Sequence, residues 1–282
     1  MKKILLPTDF SENSLNAIRY AVQLFKDEKC VFYILNTYTP TIYFVEFLPL
    51  SPESGMSDVV RVNLLKDLDE IRNKLIAEFK NPNHTFETIA AFNTLVFEVE
   101  ELVKDRKIDY IVMGTKGATG AKEVLFGSNT VHVLKNAKCP VFAIPSGFEF
   151  EAPHEILFPS DYGIDFMDKH VQPILNIAKA FTSRVNILHV STGNELTPKQ
   201  ENNKIKLDNY FKGIAHLFHS YSYQEVSEAI DKFQLKTRVN LLVMINNKHS
   251  FFENLFFKST INQIGFHLNI PFLVIPSKVY KL

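Results

Sequence analysis

Residues 113–128 read MGTKGATGAKEVLFGS and hold the residue types best suited to chemistry in this chain. Glycines stand at 114, 117 and 127, and Ser128, Asn129 and Thr130 follow the last of them. The run comes after an apolar stretch, Ile108-Asp109-Tyr110-Ile111-Val112, and leads into Val131-His132-Val133-Leu134-Lys135. The order is therefore buried strand, glycine-bearing loop, helix start. Such a junction offers bare backbone N–H groups and the positive end of a helix dipole to an anion. Glycine matters there because a side chain would hold phosphate oxygens away from the backbone. The spacing is neither that of a P-loop, which needs Gly-x4-Gly-Lys-Ser/Thr, nor that of the dinucleotide fingerprint Gly-x-Gly-x-x-Gly. The plain alternative is a tight strand-to-helix connection with Ser128 as the helix cap, and both readings can hold at once.

The pattern Gly-x2-Gly-x9-Gly-Ser resembles the nucleotide-binding motif of the universal stress protein family. The resemblance extends to Pro7-Thr8-Asp9 and to Cys139-Pro140-Val141. It implies a site for ATP (or AMP), with Mg²⁺ arriving on the phosphates. It places Pro7, Thr8 and Asp9 at the nucleotide, with Asp9 accepting from the adenine amine or the ribose. Backbone groups at Thr37 would hold the adenine edge, and Val112 and Met113 would form an apolar floor. Gly114 and Gly117 would let the chain pass beside ribose and phosphate. Gly127, Ser128, Asn129 and Thr130 would bind the β- and γ-phosphates through N–H groups and two hydroxyls. Asp9 has a structural alternative as N-cap of a helix starting near Ser11. Lys116 and Lys122 flank the loop, either facing phosphate or simply solvated.

No catalytic residue emerges. A hydrolase or nucleotidyl transferase would need a base, a metal carboxylate or an activated nucleophile near the γ-phosphate, and beyond Asp9 there is no candidate. The expectation is a nucleotide-dependent signalling protein of stress tolerance, with at most weak ATPase activity. The rival readings are a slow ATP hydrolase or nucleotidyl transferase on the same fold, and an interaction protein with a vestigial site. The nine histidines raise a metal hypothesis. The closest pair, His216 and His219, falls on a strand, where residues three apart face opposite ways. With no Cys-x2-Cys or His-Glu-x-x-His, no protein-held metal is expected.

These residues need elements to position them, and the chain supplies such a set twice. Lys3-Ile4-Leu5-Leu6-Pro7-Thr8-Asp9 recurs as Glu155-Ile156-Leu157-Phe158-Pro159-Ser160-Asp161, and Tyr110-Ile111-Val112-Met113 recurs as Leu241-Leu242-Val243-Met244. Cys139 to Pro145 recurs as Ile270 to Pro276. We read two domains, 1–146 and 154–282, joined by a linker at 146–154. In the first, strands at 3–7, 30–36, 84–90, 108–113 and 140–144 alternate with helices at 11–26, 57–80, 93–106 and 127–137. In the helix at 57–80, Val59, Val62, Leu65, Leu68 and Ile71 keep a helical spacing. The alternation predicts an α/β fold, two tandem Rossmann-like domains, each a parallel sheet with helices on both faces. The family resemblance implies five strands per domain in the order 3-2-1-4-5. That order brings the Asp9 turn and the glycine loop together at the carboxyl ends of strands 1 and 4.

The second copy departs from the motif, with Ile245 in place of Gly114, Lys248 in place of Gly117 and Lys258 in place of Gly127. No ATP is expected there. That copy would serve as an intramolecular pseudo-dimer partner, pairing 141–144 with 272–275 as single-domain members pair between chains, and a homo-oligomer remains open. Residues 38–55 form an apolar, proline-broken excursion expected to pack on the other half or on another chain. The 282 residues carry zero formal net charge, which argues against a nucleic-acid partner. Two distant cysteines, Cys30 and Cys139, fit a reducing cytoplasm. The N-terminal apolar run is too short for a secretory signal, and no run is long enough for a membrane span.

Overall fold

The computed structural model describes residues 1–39, 56–115, 126–191, 193–222, 225–247 and 269–278. The first half runs β1 (Lys2–Pro7), α1 (Glu12–Leu24), β2 (Cys30–Tyr38), α2 (Met56–Phe79), β3 (His84–Phe92), α3 (Leu95–Asp105), β4 (Tyr110–Gly114), α4 (Ser128–Asn136) and β5 (Val141–Ile144). The second runs β6 (Glu155–Pro159), α5 (Asp168–Phe181), β7 (Arg184–Ser191), α6 (Pro198–Phe211), β8 (His216–Ser222), α7 (Val226–Lys236), β9 (Leu241–Asn246) and β10 (Phe272–Pro276).

The ten strands among the described residues form one sheet in the order β3-β2-β1-β4-β5-β10-β9-β6-β7-β8. Read inward from its outer edge, each half has the order 3-2-1-4-5. Pairing is parallel within each half, and β10 meets β5 antiparallel, with Phe272 opposite Ala143, Leu273 opposite Phe142 and Val274 opposite Val141. Two apolar edges that would otherwise template association are thereby closed on each other. The central strands are buried on both faces, as β4 (YIVMG) illustrates, which is why their sequences read as unbroken apolar runs rather than alternating ones.

Two core layers sandwich the sheet, and each draws on both halves. One holds Ile18 of α1, Leu68 of α2, Ile174 of α5 and Leu207 of α6. The other holds Val99 of α3, Val133 of α4 and Ile230 of α7. The helical spacing in α2 is correct, but its face is not uniform: Leu68 is fully buried, whereas Val59 and Val62 are 61% and 63% exposed. The linker is more than a tether. Tyr20 of α1 meets Phe148 and Phe150 edge-on at 6.2 and 5.2 Å, and Phe150 also reaches Phe181 of α5 at 6.3 Å. Residues 40–55 of the excursion lie outside the described residues. Among the described residues no helix is long and apolar enough to cross a membrane.

Candidate functional site

The site begins where β1 stops. Thr8 extends the ladder by one bond, its N–H donating to the Leu35 carbonyl at 2.8 Å. Its buried hydroxyl accepts from the Phe10 N–H at 3.0 Å and lies 2.9 Å from Ser14 Oγ. Phe10 is forced to a positive φ of 63°, a conformation a non-glycine residue holds only when its surroundings fix it. Asn36, at the end of β2, donates its Nδ2 to the Thr8 carbonyl at 2.8 Å. The turn is thus held from both sides before any ligand is considered. Asp9 stays exposed at its crest, and its Oδ1 accepts from the Ser11 N–H at 3.1 Å and from Ser11 Oγ at 2.5 Å. The helix cap is Ser11, whose side chain accepts from Ser14 N–H. Asp9 positions that cap rather than serving as it.

Across the crevice stands the end of β4. Thr115 N–H donates to the Ile144 carbonyl at 2.9 Å, and Gly127 N–H donates to the Thr115 carbonyl at 2.7 Å. The chain therefore departs at Thr115 and returns at Gly127 through a closed neck. Gly117, Lys116 and Lys122 lie outside the described residues. Gly127, not Ser128, is the N-cap of α4, with φ −62° and ψ 153° and no side-chain cap bond. That leaves the first-turn N–H groups of Ser128, Asn129 and Thr130 with no helical carbonyl beneath them. The Thr130 hydroxyl is committed, donating to the Gly114 carbonyl at 2.9 Å from a buried position. Of the two hydroxyls expected at the phosphates, Ser128 alone is exposed; Thr130 offers its N–H.

These groups enclose a cavity of about 380 Å³, within the range of small-molecule sites. Pro7, Thr8, Asp9, Thr37, Met113, Gly114, Gly127, Ser128, Asn129 and Thr130 all line it. It sits above the carboxyl ends of β1 and β4, whose crossovers lead to opposite faces, the place where open α/β sheets take ligands. Three further lining residues escaped the sequence reading: Ser14, Asn36 and Leu95. Asn36 left a trace, being the first polar residue after the apolar run Cys30–Leu35. Ser14 and Leu95 left none.

The lining combines one exposed carboxylate with backbone donors and the positive end of α4, a set that binds an anion joined to hydrogen-bonding groups. Among the described lining residues there is no pair of groups arranged as base and nucleophile. Burial, with the nearby Glu28 charge adding to it, pushes the Cys30 thiol up to about 12, and burial also raises Cys139. Neither is an activated thiolate. Among the described residues no cluster of three or more His, Cys, Asp or Glu could hold a metal ion. His216 turns to Asp208 of α6, and His219 to Asn186 of β7 and Phe233 of α7. The two imidazoles thus leave β8 on opposite faces.

The second half repeats the turn without the cavity's glycines. Ser160 N–H donates to the Leu188 carbonyl, Tyr162 N–H to Ser160 Oγ, and His189 Nδ1 takes the place of Asn36 at 3.0 Å from the Ser160 carbonyl. Ile245 pairs with Ile275 as Gly114 pairs with Ile144, so its side chain stands at the glycine position. Lys248 and Lys258 lie outside the described residues.

Comparison with known proteins agrees with this geometry. The family model described as "Universal stress protein family" matches residues 1–145. The universal stress protein MJ0531 of Methanocaldococcus jannaschii is 31% identical over 145 residues, covering 51% of this chain and 81% of the relative. MJ0577 of the same organism is 32% identical over 161 residues, covering 51% of this chain and 94% of the relative. A crystal structure of a universal stress protein from Archaeoglobus fulgidus DSM 4304 superposes over 97% of this chain and 96% of its own, with TM-score 0.68 and 19% identity, a likeness of fold across both halves. A matching family model over half the chain, and a crevice built from the residues of the glycine motif, lead to one conclusion: this chain belongs to the universal stress protein family.

Proposed function

We propose that the first half binds one adenine nucleotide, ATP or AMP, in the crevice between the Thr8–Asp9 turn and the start of α4, and that the chain acts by nucleotide-dependent signalling in stress tolerance. The observation that carries this reading is the convergence of the Pro7-Thr8-Asp9 turn, Thr37 and the residues flanking the glycine loop on one cavity. The donor set fits the ligand. Phosphate oxygens would be taken by the N–H groups of Ser128, Asn129 and Thr130 and by the Ser128 hydroxyl, and Asp9 would accept from the ribose or the adenine amine. Mg²⁺ would come with the phosphates, supplying charge neutralisation there.

In this reading the domains are 1–146 and 154–282, and the second is a pseudo-dimer partner rather than a second nucleotide site. The pairing of β5 with β10 supports that role. Among the described lining residues no base stands beside a nucleophile, which favours ligand-dependent shape over turnover as the mode of action. Mass spectrometry of the small molecules released on denaturing the purified protein tests the assignment. ATP or AMP is expected. Release of no nucleotide, together with no uptake of added Mg-ATP, would overturn it.

A further inference from the structure

The second half carries a cavity of its own, about 280 Å³, on the α6 side of β7 and β8 rather than at the strand crossover. Its walls set the rings of Tyr162, His189 and Phe218 beside a polar loop that includes Asn194 and Glu195. Tyr162 stacks on His189 at 5.1 Å and 24°, and Phe218 leans on Tyr162 at 6.4 Å. Lys204 of α6 brings Nζ to 5.8 Å from the Phe218 ring centroid. Among the described residues Lys204 has no carboxylate in ion-pair range, whereas its neighbour Lys206 is held by Asp165 at 2.6 Å. His189 Nδ1 faces the Ser160 carbonyl at 3.0 Å. A carbonyl only accepts, so Nδ1 carries a proton toward Ser160 and Nε2 is left for another partner. Ser220 adds an exposed hydroxyl at the rim.

Among the described residues this cavity differs from the first-half crevice, sharing with it only the position of His189 and Asn36. By strand register Phe218 stands where the first half has Thr88, and His189 where it has Asn36. There the Thr88 hydroxyl donates to Asp69 of α2 at 3.0 Å, where the second half has an aromatic ring. The half that lost the glycine pattern thus holds an aromatic recess with a cation over one ring.

We infer that this recess binds a small aromatic monoanion, a flat ring bearing one carboxylate or similar group. The ring would lie against Phe218 and His189, where aromatic pairs gain beyond their area burial. The anion would take Lys204, whose ammonium already favours a ring face. A polyphosphate fits poorly. The mouth carries one cation and one carboxylate, Glu195, and the first turn of α6 is closed by its own Thr197–Gln200 capping box.

The test uses the full chain, saturated with Mg-ATP, and three probes of one shape: indole-3-carboxylate, indole and tryptamine. Indole-3-carboxylate is expected to bind with a dissociation constant at or below about 1 mM, with indole and tryptamine weaker by about tenfold or more. Lys204→Met should weaken the carboxylate by about tenfold and bring it level with indole, and Lys204→Arg should restore it. Ser220→Phe, at an exposed rim position and with an unchanged melting temperature as its folding control, should fill the recess and abolish binding. The inference is overturned by no binding of indole-3-carboxylate up to about 5 mM, by equal binding of the three probes, by an unaffected Lys204→Met variant, or by competition between indole-3-carboxylate and ATP for one site.

Discussion

Replacing Gly127 with lysine imports the residue that the second half carries at the corresponding sequence position. Gly127 has φ −62° and ψ 153°, a conformation open to any L-residue, so no backbone strain is expected. Its N–H bond to Thr115 and its carbonyl bond from Val131 both survive the change. The folding cost is a poorer N-cap plus a cation at the positive end of α4, together about 1–2 kcal/mol. That corresponds to a melting temperature lower by about 2–8 °C in a protein of this size class. The cost in binding is larger. The new side chain stands over the N–H groups of Ser128, Asn129 and Thr130, and denying a phosphate two of them removes about 1.5–3 kcal/mol for each charge-assisted bond. The expected loss is about 100- to 10,000-fold in Mg-ATP affinity by calorimetry. Gly127→Met, which adds bulk without charge, separates steric exclusion from any attraction of the ammonium for phosphate and should lose affinity as well. If both variants fold and bind Mg-ATP within about threefold of the parent, the phosphates do not lie on the start of α4.

Two further outcomes concern how the halves and the caps are held. Asn246 of β9 donates Nδ2 to the carbonyls of Leu134 and Lys135 at 3.0 and 3.3 Å, so the second half caps the far end of the helix whose start faces the nucleotide crevice. Asn246→Ala should cost about 1–3 kcal/mol, and Asn246→Asp more, since it sets a carboxylate against two carbonyls; equal melting temperatures for parent and both variants would remove this link. His170 is a pH-sensitive tie: its Nδ1 accepts from the Met167 N–H and its Nε2 faces the Ser277 carbonyl. Burial, only partly opposed by the Ser277 bond, holds its pKa below the ordinary histidine value. The unfolded chain then binds the proton more readily, so this contribution is complete above about pH 6.5 and is lost as pH falls through the lower folded value. His170→Gln should flatten the fall in melting temperature between about pH 7.5 and about pH 5.5, and an unchanged slope would count against it.

The glycines and the aspartate were legible because their roles are local. A glycine at 114 or 127 records where a backbone must stay bare, and Asp9 follows directly on the end of a strand. The burial of both sheet faces follows from alternating elements with unbroken apolar strands, whereas the 3-2-1-4-5 order was legible only through the family resemblance. Asn36 and Ser14 were harder to find because they act through contacts that spacing does not encode: Asn36 reaches the Thr8 carbonyl 28 positions away. The cap of α4 was placed one residue late, since an extended glycine and a serine are equally good caps on paper. Thr130 resembled a phosphate ligand by type, but it faces inward to Gly114. Helical spacing sets Val59 and Val62 in line with Leu68, but only Leu68 is buried, because spacing alone does not tell which turns of α2 meet the core. The aromatic recess left no motif at all, because Tyr162, His189, Lys204 and Phe218 come from four separate segments that the second sheet edge brings together.

Calorimetric titration of the full chain with Mg-ATP tests the central claim most directly. One nucleotide per chain is proposed from the intact glycine pattern at 114–128 and from the side chain of Ile245 at the matching position of the second half. A stoichiometry near one is the expected result. A stoichiometry near two would show that the second half also binds, and an absence of binding would contradict the assignment of the crevice to an adenine nucleotide.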